Sequence, residues 1–109
     1  MTTIKINKDN FEKEIVNSKI PVILDFWASW CGPCQMMGPV FEELSKDFEG
    51  KLKFAKVNTE ENSQLANHFG IRGIPCLVIT KNGKEIDRIT GFVPSEILKQ
   101  NINKILSTI

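Results

Sequence analysis

The chain has few of the residues that build disulfide scaffolds and histidine-rich sites. Its 109 residues include three cysteines and one histidine, His68. Three cysteines are too few for a small domain held together by disulfides. His68 lies next to Phe69 on a predicted helix, so we expect it to be solvated and assign it no catalytic role. The cysteines therefore need an interpretation other than a structural framework.

Net charge and long apolar runs are also missing. Fourteen basic and thirteen acidic residues leave a formal net charge of +1, and 41% of the residues are hydrophobic. This balance does not favour nucleic acid or anionic membrane, and we expect neither as a partner. No apolar run approaches membrane-spanning length, and residues 1–7 contain no apolar signal core, so we expect a cytoplasmic protein. The length predicts one domain over residues 1–109, and we expect a monomer.

Apolar periodicity predicts an alternation of strands and helices. Predicted strands cover residues 3–6, 21–27, 52–57, 76–80 and 85–90. Predicted helices cover residues 34–48 and 62–69. Two further helices are predicted, one that is capped by Asn7 and carries Phe11, Ile15 and Val16, and one that begins at Pro94. Such alternation requires parallel strands with right-handed crossovers, and Asn82-Gly83 predicts a type I′ hairpin that adds an antiparallel pair. The sequence predicts an α/β fold with a mixed five-stranded sheet between helices.

The most informative motif is Cys31-Gly32-Pro33-Cys34, preceded by Trp30. It lies where a buried strand turns into a helix. A thiol at a helix N-terminus meets unpaired N–H groups, which favour the thiolate that attacks disulfides. We expect Cys31 to be exposed and to be the nucleophile, and the more buried Cys34 to resolve the mixed disulfide. Two structural cysteines or a chance pair are the alternative.

Residues 25–34, Asp-Phe-Trp-Ala-Ser-Trp-Cys-Gly-Pro-Cys, closely resemble the active-site signature of the thioredoxin family, in its Trp-Cys-Gly-Pro-Cys form. Residues 54–58, 70–75 and 81–84 and Gly91 continue the resemblance, in order and at the right spacing. It implies the thioredoxin fold, with strand order 1-3-2-4-5 and four flanking helices. It also implies a protein-disulfide reductase that is itself re-reduced by a thioredoxin reductase.

The resemblance also implies roles for two charged residues. Asp25 is the one charge in an apolar strand, where an unpaired carboxylate is costly. The resemblance makes Asp25 a catalytic proton relay to and from Cys34, and Lys56 its tuning neighbour. An exposed edge carboxylate and a plain surface lysine are the alternatives. Trp27 matches the packing tryptophan of the family.

A substrate groove is implied by the matches at Trp30, Gly73, Ile74, Pro75 and Gly91. Pro75 would be cis, which exposes backbone groups of Gly73 and Ile74 to an extended peptide. Redox direction is implied by Gly32-Pro33, because a histidine in this dipeptide accompanies stronger oxidants in related proteins. We therefore expect a reductant.

Three residues depart from the family pattern. Gln35 stands where many thioredoxins have a lysine or arginine, so one favourable charge near the thiolate is missing. Phe92 replaces a smaller residue at the groove rim. Cys76 replaces the usual threonine after the cis-proline, either as an inert buried thiol or as a redox modulator. We expect Cys76 to stay reduced while Cys31 and Cys34 cycle.

The chain has no nucleotide-binding fingerprint, so a thiol-disulfide oxidoreductase of this kind needs a separate electron donor. That donor would be an NADPH-dependent flavoprotein thioredoxin reductase or a ferredoxin-linked one, and its targets would be proteins containing disulfides. We expect no bound cofactor and no metal. Two alternatives remain: a metal site of Cys31, Cys34 and Cys76 completed by His68, water or another chain, and a binding module without redox turnover.

Overall fold

The computed structural model describes residues 3–109, which fold around a mixed five-stranded sheet. The strands are β1 (Thr3–Lys5), β2 (Val22–Trp27), β3 (Lys53–Asn58), β4 (Cys76–Lys81) and β5 (Lys84–Thr90), in the order β1-β3-β2-β4-β5. Strands β1, β3 and β2 are parallel, and β4 is antiparallel to both β2 and β5. The predicted fold class and strand order are confirmed. Met1 and Thr2, the first residues of the predicted domain, lie outside the described residues.

Four helical segments flank the sheet: a π-helical turn (Glu12–Val16), α1 (Gly32–Asp47), α2 (Ser63–His68) and α3 (Ser95–Leu106). The predicted cap at Asn7 is wrong. The Asn7 side-chain oxygen accepts hydrogen bonds from the backbone N–H groups of Asp9 and Asn10. Because these bonds close a local turn, the helical segment begins only at Glu12.

Helix α1 begins two residues earlier than the sequence predicts, at Gly32. Proline is favoured in the first turn of a helix, because its missing N–H would have no partner there. Pro33 therefore extends the helix toward Cys31, which becomes the N-cap residue. Pro39 lies inside the same helix.

The two faces of the sheet carry separate apolar clusters. On one face, α1 and α3 cover residues that include Ile23, Leu77 and Ile79. On the other face, the π-helical turn and α2 cover residues that include Phe26 and Val78. Because side chains alternate along a strand, residue 25 points toward the α1 face and residue 76, opposite Phe26, toward the α2 face. The sheet therefore separates the side chains of Asp25 and Cys76.

The hairpin between β4 and β5 is the predicted type I′ turn. Asn82 and Gly83 have φ values of 54° and 80°, as both central positions of this turn require. Gly83 also lies against the π-helical turn. A Cβ at this position would be 3.0 Å from Cγ2 of Val16 and 3.3 Å from its Cα.

We expect Gly83→Ala to lower the free energy of unfolding by about 2–4 kcal/mol, because it combines left-handed strain with tight contacts to Cγ2 and Cα of Val16. Gly50→Ala is the matched control. Gly50 has a φ of 83°, but nothing lies within 4 Å of the added Cβ. Strain alone should cost the control about 1–2 kcal/mol. Urea unfolding measures both, and equal losses would show that Val16 moves aside.

Candidate active site

The two cysteines of the motif meet at the start of α1. Cys31 is the N-cap residue, Cys34 lies in the first turn, and the two form a disulfide with their Cα atoms 5.2 Å apart. Each is only 4% exposed. The predicted exposure of Cys31 is therefore wrong for this disulfide form, because Trp27, Ala28 and Ile74 pack around the pair.

One backbone N–H group donates to the Cys31 sulfur, and one carbonyl oxygen lies near it. The N–H of Cys34 donates to Cys31 Sγ over 3.2 Å, and residues 32–35 of the first turn include no acid. The carbonyl oxygen of Ile74 lies 3.8 Å from the same sulfur. An N–H group and the positive end of a helix both favour negative charge. A thiolate at Cys31 would be stabilised by this arrangement once the disulfide opens.

Asp25 lies on the α1 face of β2 and is 1% exposed. Neither carboxylate oxygen accepts a hydrogen bond from any residue in the range 3–109. Burial raises the pKa of Asp25 from its ordinary 3.8 to about 6, although the positive charge of Lys56 acts in the opposite direction. An exposed edge carboxylate is therefore excluded. The carboxyl group can take up and release a proton near neutral pH.

Lys56 is the residue of β3 that pairs with Asp25 in the sheet register. Its side chain is half-buried, and Nζ lies 5.2 Å from the centroid of the Trp27 ring. This distance is within the range of a cation–π contact. The structure therefore brings Asp25, Lys56 and Trp27 together on β2 and β3, with Trp27 packed against the cysteine pair, and Lys56 is not a plain surface lysine.

The predicted groove residues lie on three loops near the disulfide. Trp30 is 72% exposed, immediately before Cys31. The Ile74–Pro75 peptide bond is cis, and the half-buried Ile74 packs against the cysteine pair. The N–H of Gly91 donates to the Pro75 carbonyl over 2.8 Å. Gly91 has a φ of 92°, a conformation that favours glycine.

Cys76 is reduced and lies on the other face of the sheet, in the cluster of Phe26 and Val78. It is 1% exposed, and its sulfur is 3.8 Å from Thr90 Oγ1. Burial raises the pKa of the Cys76 thiol, more than the Thr90 hydroxyl lowers it. The thiol therefore belongs to the cluster on the α2 face, while Cys31 and Cys34 form a separate cluster with Ala28.

The order of the elements, the cysteine pair at the start of α1 and the cis-proline beside it form one consistent arrangement. A family model described as Thioredoxin matches residues 2–104. The chain belongs to the thioredoxin family. Thioredoxins are thiol-disulfide oxidoreductases, and the chain is a protein-disulfide reductase whose partners are a reductase and proteins containing disulfides.

Individual thioredoxins match most of the chain. It is 46% identical over 102 residues to Thioredoxin 1 of Nostoc sp., an alignment that covers 94% of this chain and 95% of the relative. It is 43% identical to a thioredoxin of Synechocystis sp., covering 95% and 97% of the two chains. The chloroplastic Thioredoxin M4 of Arabidopsis thaliana is 43% identical over 93% of this chain and 52% of the relative.

Neither a membrane span nor a metal cluster is found in the described part of this thioredoxin. No helix within residues 3–109 is both long and apolar enough to cross a membrane. The same residues include no group of three or more His, Cys, Asp or Glu side chains placed to hold a metal ion. His68 instead makes edge-on ring contacts with Phe11 and Phe69.

A hydrogen-bonded network beside the thioredoxin motif was not predicted. Glu60 Oε1 accepts from the N–H of Ser29 over 2.9 Å and from its hydroxyl over 2.8 Å, and these bonds lower the pKa of Glu60. Gln35 Nε2 donates to the Ser29 carbonyl over 3.0 Å. The network joins the loop before Trp30 to α1 and to the segment after β3. The sequence signal was Gln35, interpreted only as a missing charge.

We expect Gln35→Lys to accelerate alkylation of reduced Cys31 about twofold at pH 7, because a cation near a helix N-terminal thiolate favours the reactive form by a few tenths of a kcal/mol. Gln100→Lys adds the same charge to the exposed face of α3 and is the control. Iodoacetamide labelling followed by peptide mapping measures both rates. Equal rates in the two variants would contradict a local effect of residue 35.

Proposed function

We propose that this thioredoxin reduces partner proteins by two successive thiol–disulfide exchanges that begin at Cys31. The observation that carries the proposal is the position of the Cys31 sulfur, which accepts a hydrogen bond from the Cys34 N–H at the start of α1. Cys34 is held in the first turn within bonding distance of that sulfur. The nucleophile therefore has a stabilised thiolate and a resolving thiol beside it.

The exchange balances in two steps. The Cys31 thiolate attacks one sulfur of the target disulfide, which forms a mixed disulfide and releases the other target sulfur as a thiolate. Cys34 then loses its proton and attacks Cys31 Sγ. The Cys31–Cys34 disulfide forms, the second target sulfur leaves as a thiolate, and two electrons have passed to the target.

Asp25 is proposed to accept the proton that Cys34 loses. A general base works best when its pKa lies near the operating pH, and burial raises the pKa of Asp25 to about 6. Lys56 would tune this group, since its charge opposes part of the effect of burial. In the reverse direction, the protonated carboxyl would return the proton to Cys34.

The target is proposed to dock as an extended peptide along Gly73 and Ile74, beside Pro75, Gly91 and the exposed Trp30. Ile74 packs against the cysteine pair, so a peptide paired with this backbone would bring its disulfide close to Cys31. The Gly32-Pro33 dipeptide lacks histidine, and this supports a protein that reduces the disulfides of its targets over one that oxidises their thiols.

The electron donor is proposed to be a thioredoxin reductase, either an NADPH-dependent flavoprotein or a ferredoxin-linked enzyme. We further propose a single domain over residues 1–109 that acts as a monomer in the cytoplasm. The balanced charge of the chain supports a surface with neither nucleic acid nor membrane as a partner. Re-reduction assays with one purified enzyme of each class distinguish the two donors.

Docking is tested on a trapped complex. Cys34→Ser protein is reacted with a peptide disulfide, and hydrogen exchange of the backbone amides is compared in the mixed disulfide and in the free protein. We expect protection at residues 73 and 74, with little change at residues 82 and 83 of the remote hairpin. Unchanged exchange at residues 73 and 74 would remove the proposed groove and leave the chemistry at Cys31 intact.

A further inference from the structure

The guanidinium of Arg88, on β5, joins two elements that are distant in sequence. Its Nη2 donates to the Phe69 carbonyl over 2.6 Å. Its Nε and Nη2 also donate to the two carboxylate oxygens of Glu85, each over 2.6 Å. The Arg88 and Glu85 side chains are 32% and 30% exposed, so the pair is only partly screened by water. Glu85 therefore holds the guanidinium in one orientation toward Phe69.

Phe69 is the C-cap residue of α2, and its carbonyl is one of those that a helix end leaves without an intrahelical partner. Helix α2 has only six residues, and none of residues 63–68 is fully buried. A helix this short does not hold its position through its own hydrogen bonds. Two contacts therefore fix the end of α2: the buried Phe69 ring packs against Phe11 and Phe26, and the Arg88 guanidinium binds the Phe69 carbonyl.

Phe69 and Cys76 bracket residues 70–75, the segment that carries the proposed docking backbone. The downstream end is held by β5, because Gly91 donates to the Pro75 carbonyl and Thr90 pairs with Cys76. The upstream end is held by Arg88, from the same strand. Both ends of the segment are therefore fixed to β5, one through backbone and one through a side chain.

We propose that Arg88 is a positioning residue for protein substrates. By holding the Phe69 carbonyl, Arg88 fixes the position of residues 70–75 relative to the Cys31–Cys34 pair. The inference rests on the proposed docking of an extended target along Gly73 and Ile74. Arg88 touches neither the target nor the reacting sulfurs. Its loss would therefore impair targets that need the docking segment and spare a disulfide too small to use it.

The test compares Arg88→Met with Lys53→Met, which is a close structural match. Lys53 Nζ also binds a backbone carbonyl, that of Glu14, at 3.0 Å, and the carboxylate of the same residue at 3.2 Å. It lies on β3, and its side chain is about as buried as that of Arg88. Both variants lose one positive charge, one ion pair and one bond to a helical segment. Only Arg88→Met releases the docking segment.

The readout is the rate at which pre-reduced protein, freed of reductant, reduces two disulfides. One substrate is insulin, whose two chains are joined by disulfides, and the other is the small aromatic disulfide 5,5′-dithiobis(2-nitrobenzoic acid). We expect Arg88→Met to slow insulin reduction about tenfold and to change the rate of reduction of the small disulfide by no more than about twofold. Lys53→Met should leave both rates within about twofold, and Arg88→Lys should restore part of the insulin rate.

Equal slowing of both disulfides by Arg88→Met, or equal slowing of insulin by both variants, would overturn the proposal. If Arg88→Met does not fold, Glu85→Gln removes the partner that orients the guanidinium and should give the same selectivity with a smaller effect. Hydrogen exchange at residues 70–74 should also be faster in either variant than in Lys53→Met. If residues 73 and 74 are protected in the trapped complex but Arg88→Met does not slow insulin reduction, the proposed role of Arg88 is refuted and the proposed groove stands.

Discussion

Cys31→Ser should abolish disulfide reduction, and Cys34→Ser should trap a covalent complex with the target. The serine hydroxyl is not ionised near neutral pH, so without Cys31 the first exchange cannot start. With Cys31 present and Cys34 absent, the first exchange proceeds but nothing resolves its product. Insulin reduction with dithiothreitol as electron donor measures the first effect, and non-reducing electrophoresis with mass spectrometry measures the second.

Cys76→Ser is the control for both variants, since Cys76 is a free, buried thiol in the cluster of Phe26 and Val78 and not a member of the disulfide. It should turn over at close to the wild-type rate. Alkylation of the reduced wild type near neutral pH should label Cys31 first. Faster labelling of Cys34, or trapping by Cys31→Ser in place of Cys34→Ser, would reverse the two roles.

Asp25→Ala should stabilise the fold by about 2–3 kcal/mol at pH 7.5 and slow the reduction of insulin about 10- to 100-fold. The two expected effects have one cause. Burial raises the pKa of this carboxyl to about 6 from an ordinary 3.8, a difference that corresponds to about 3 kcal/mol. Removing the group relieves that cost, and it also removes the proposed proton acceptor for Cys34. The small cavity left by alanine reduces the gain somewhat.

The effect of the Asp25 carboxyl on the stability of the fold depends on pH. A carboxyl whose pKa is higher in the folded than in the unfolded state binds more protons when folded, so the folded state is favoured at low pH. That contribution is complete below about pH 4 and is lost as the pH rises to about 6. Urea midpoints should therefore show no advantage of Asp25→Ala at pH 4 and the full advantage at pH 7.5.

Asp9→Ala, which removes an exposed carboxylate, should change neither stability nor rate by much. An Asp25→Ala protein that is less stable than the wild type at pH 7.5, and fully active, would contradict both the cost of burial and the proton role. A stabilised protein with an unchanged rate would contradict the proton role alone. The pair of measurements thus separates the energetic consequence from the catalytic one.

Local sequence patterns were sufficient for most elements of the fold. The apolar run of residues 21–27 predicted a strand covered on both faces, and β2 is the central strand, paired with β3 and β4. Asn82-Gly83 predicted the hairpin because only a few residue pairs adopt two left-handed conformations in succession. The strand order came from the family resemblance, since periodicity contains no information about which strands are neighbours.

Three of the errors and omissions arise from contacts between residues distant in sequence. Cys31 was expected to be exposed because it precedes a helix, but Ile74, forty-three residues further along, packs over it. Glu60 binds a loop thirty-one residues before it, and Arg88 binds a carbonyl nineteen residues before it. No local pattern reveals such partners. At Asn7 the competition was local, since the same side chain can cap a helix or close a turn.

The position of Cys76 makes it a natural probe of how the fold opens. In the oxidised protein it is the free thiol, and it lies on β4, an interior strand, with 1% of its surface exposed. A maleimide reagent can therefore react only after the centre of the sheet separates from α2 or unfolds. The slow phase of labelling, compared with the rate in urea, would report the free energy of that opening. Folding energetics in this chain can be followed without introducing any foreign reporter.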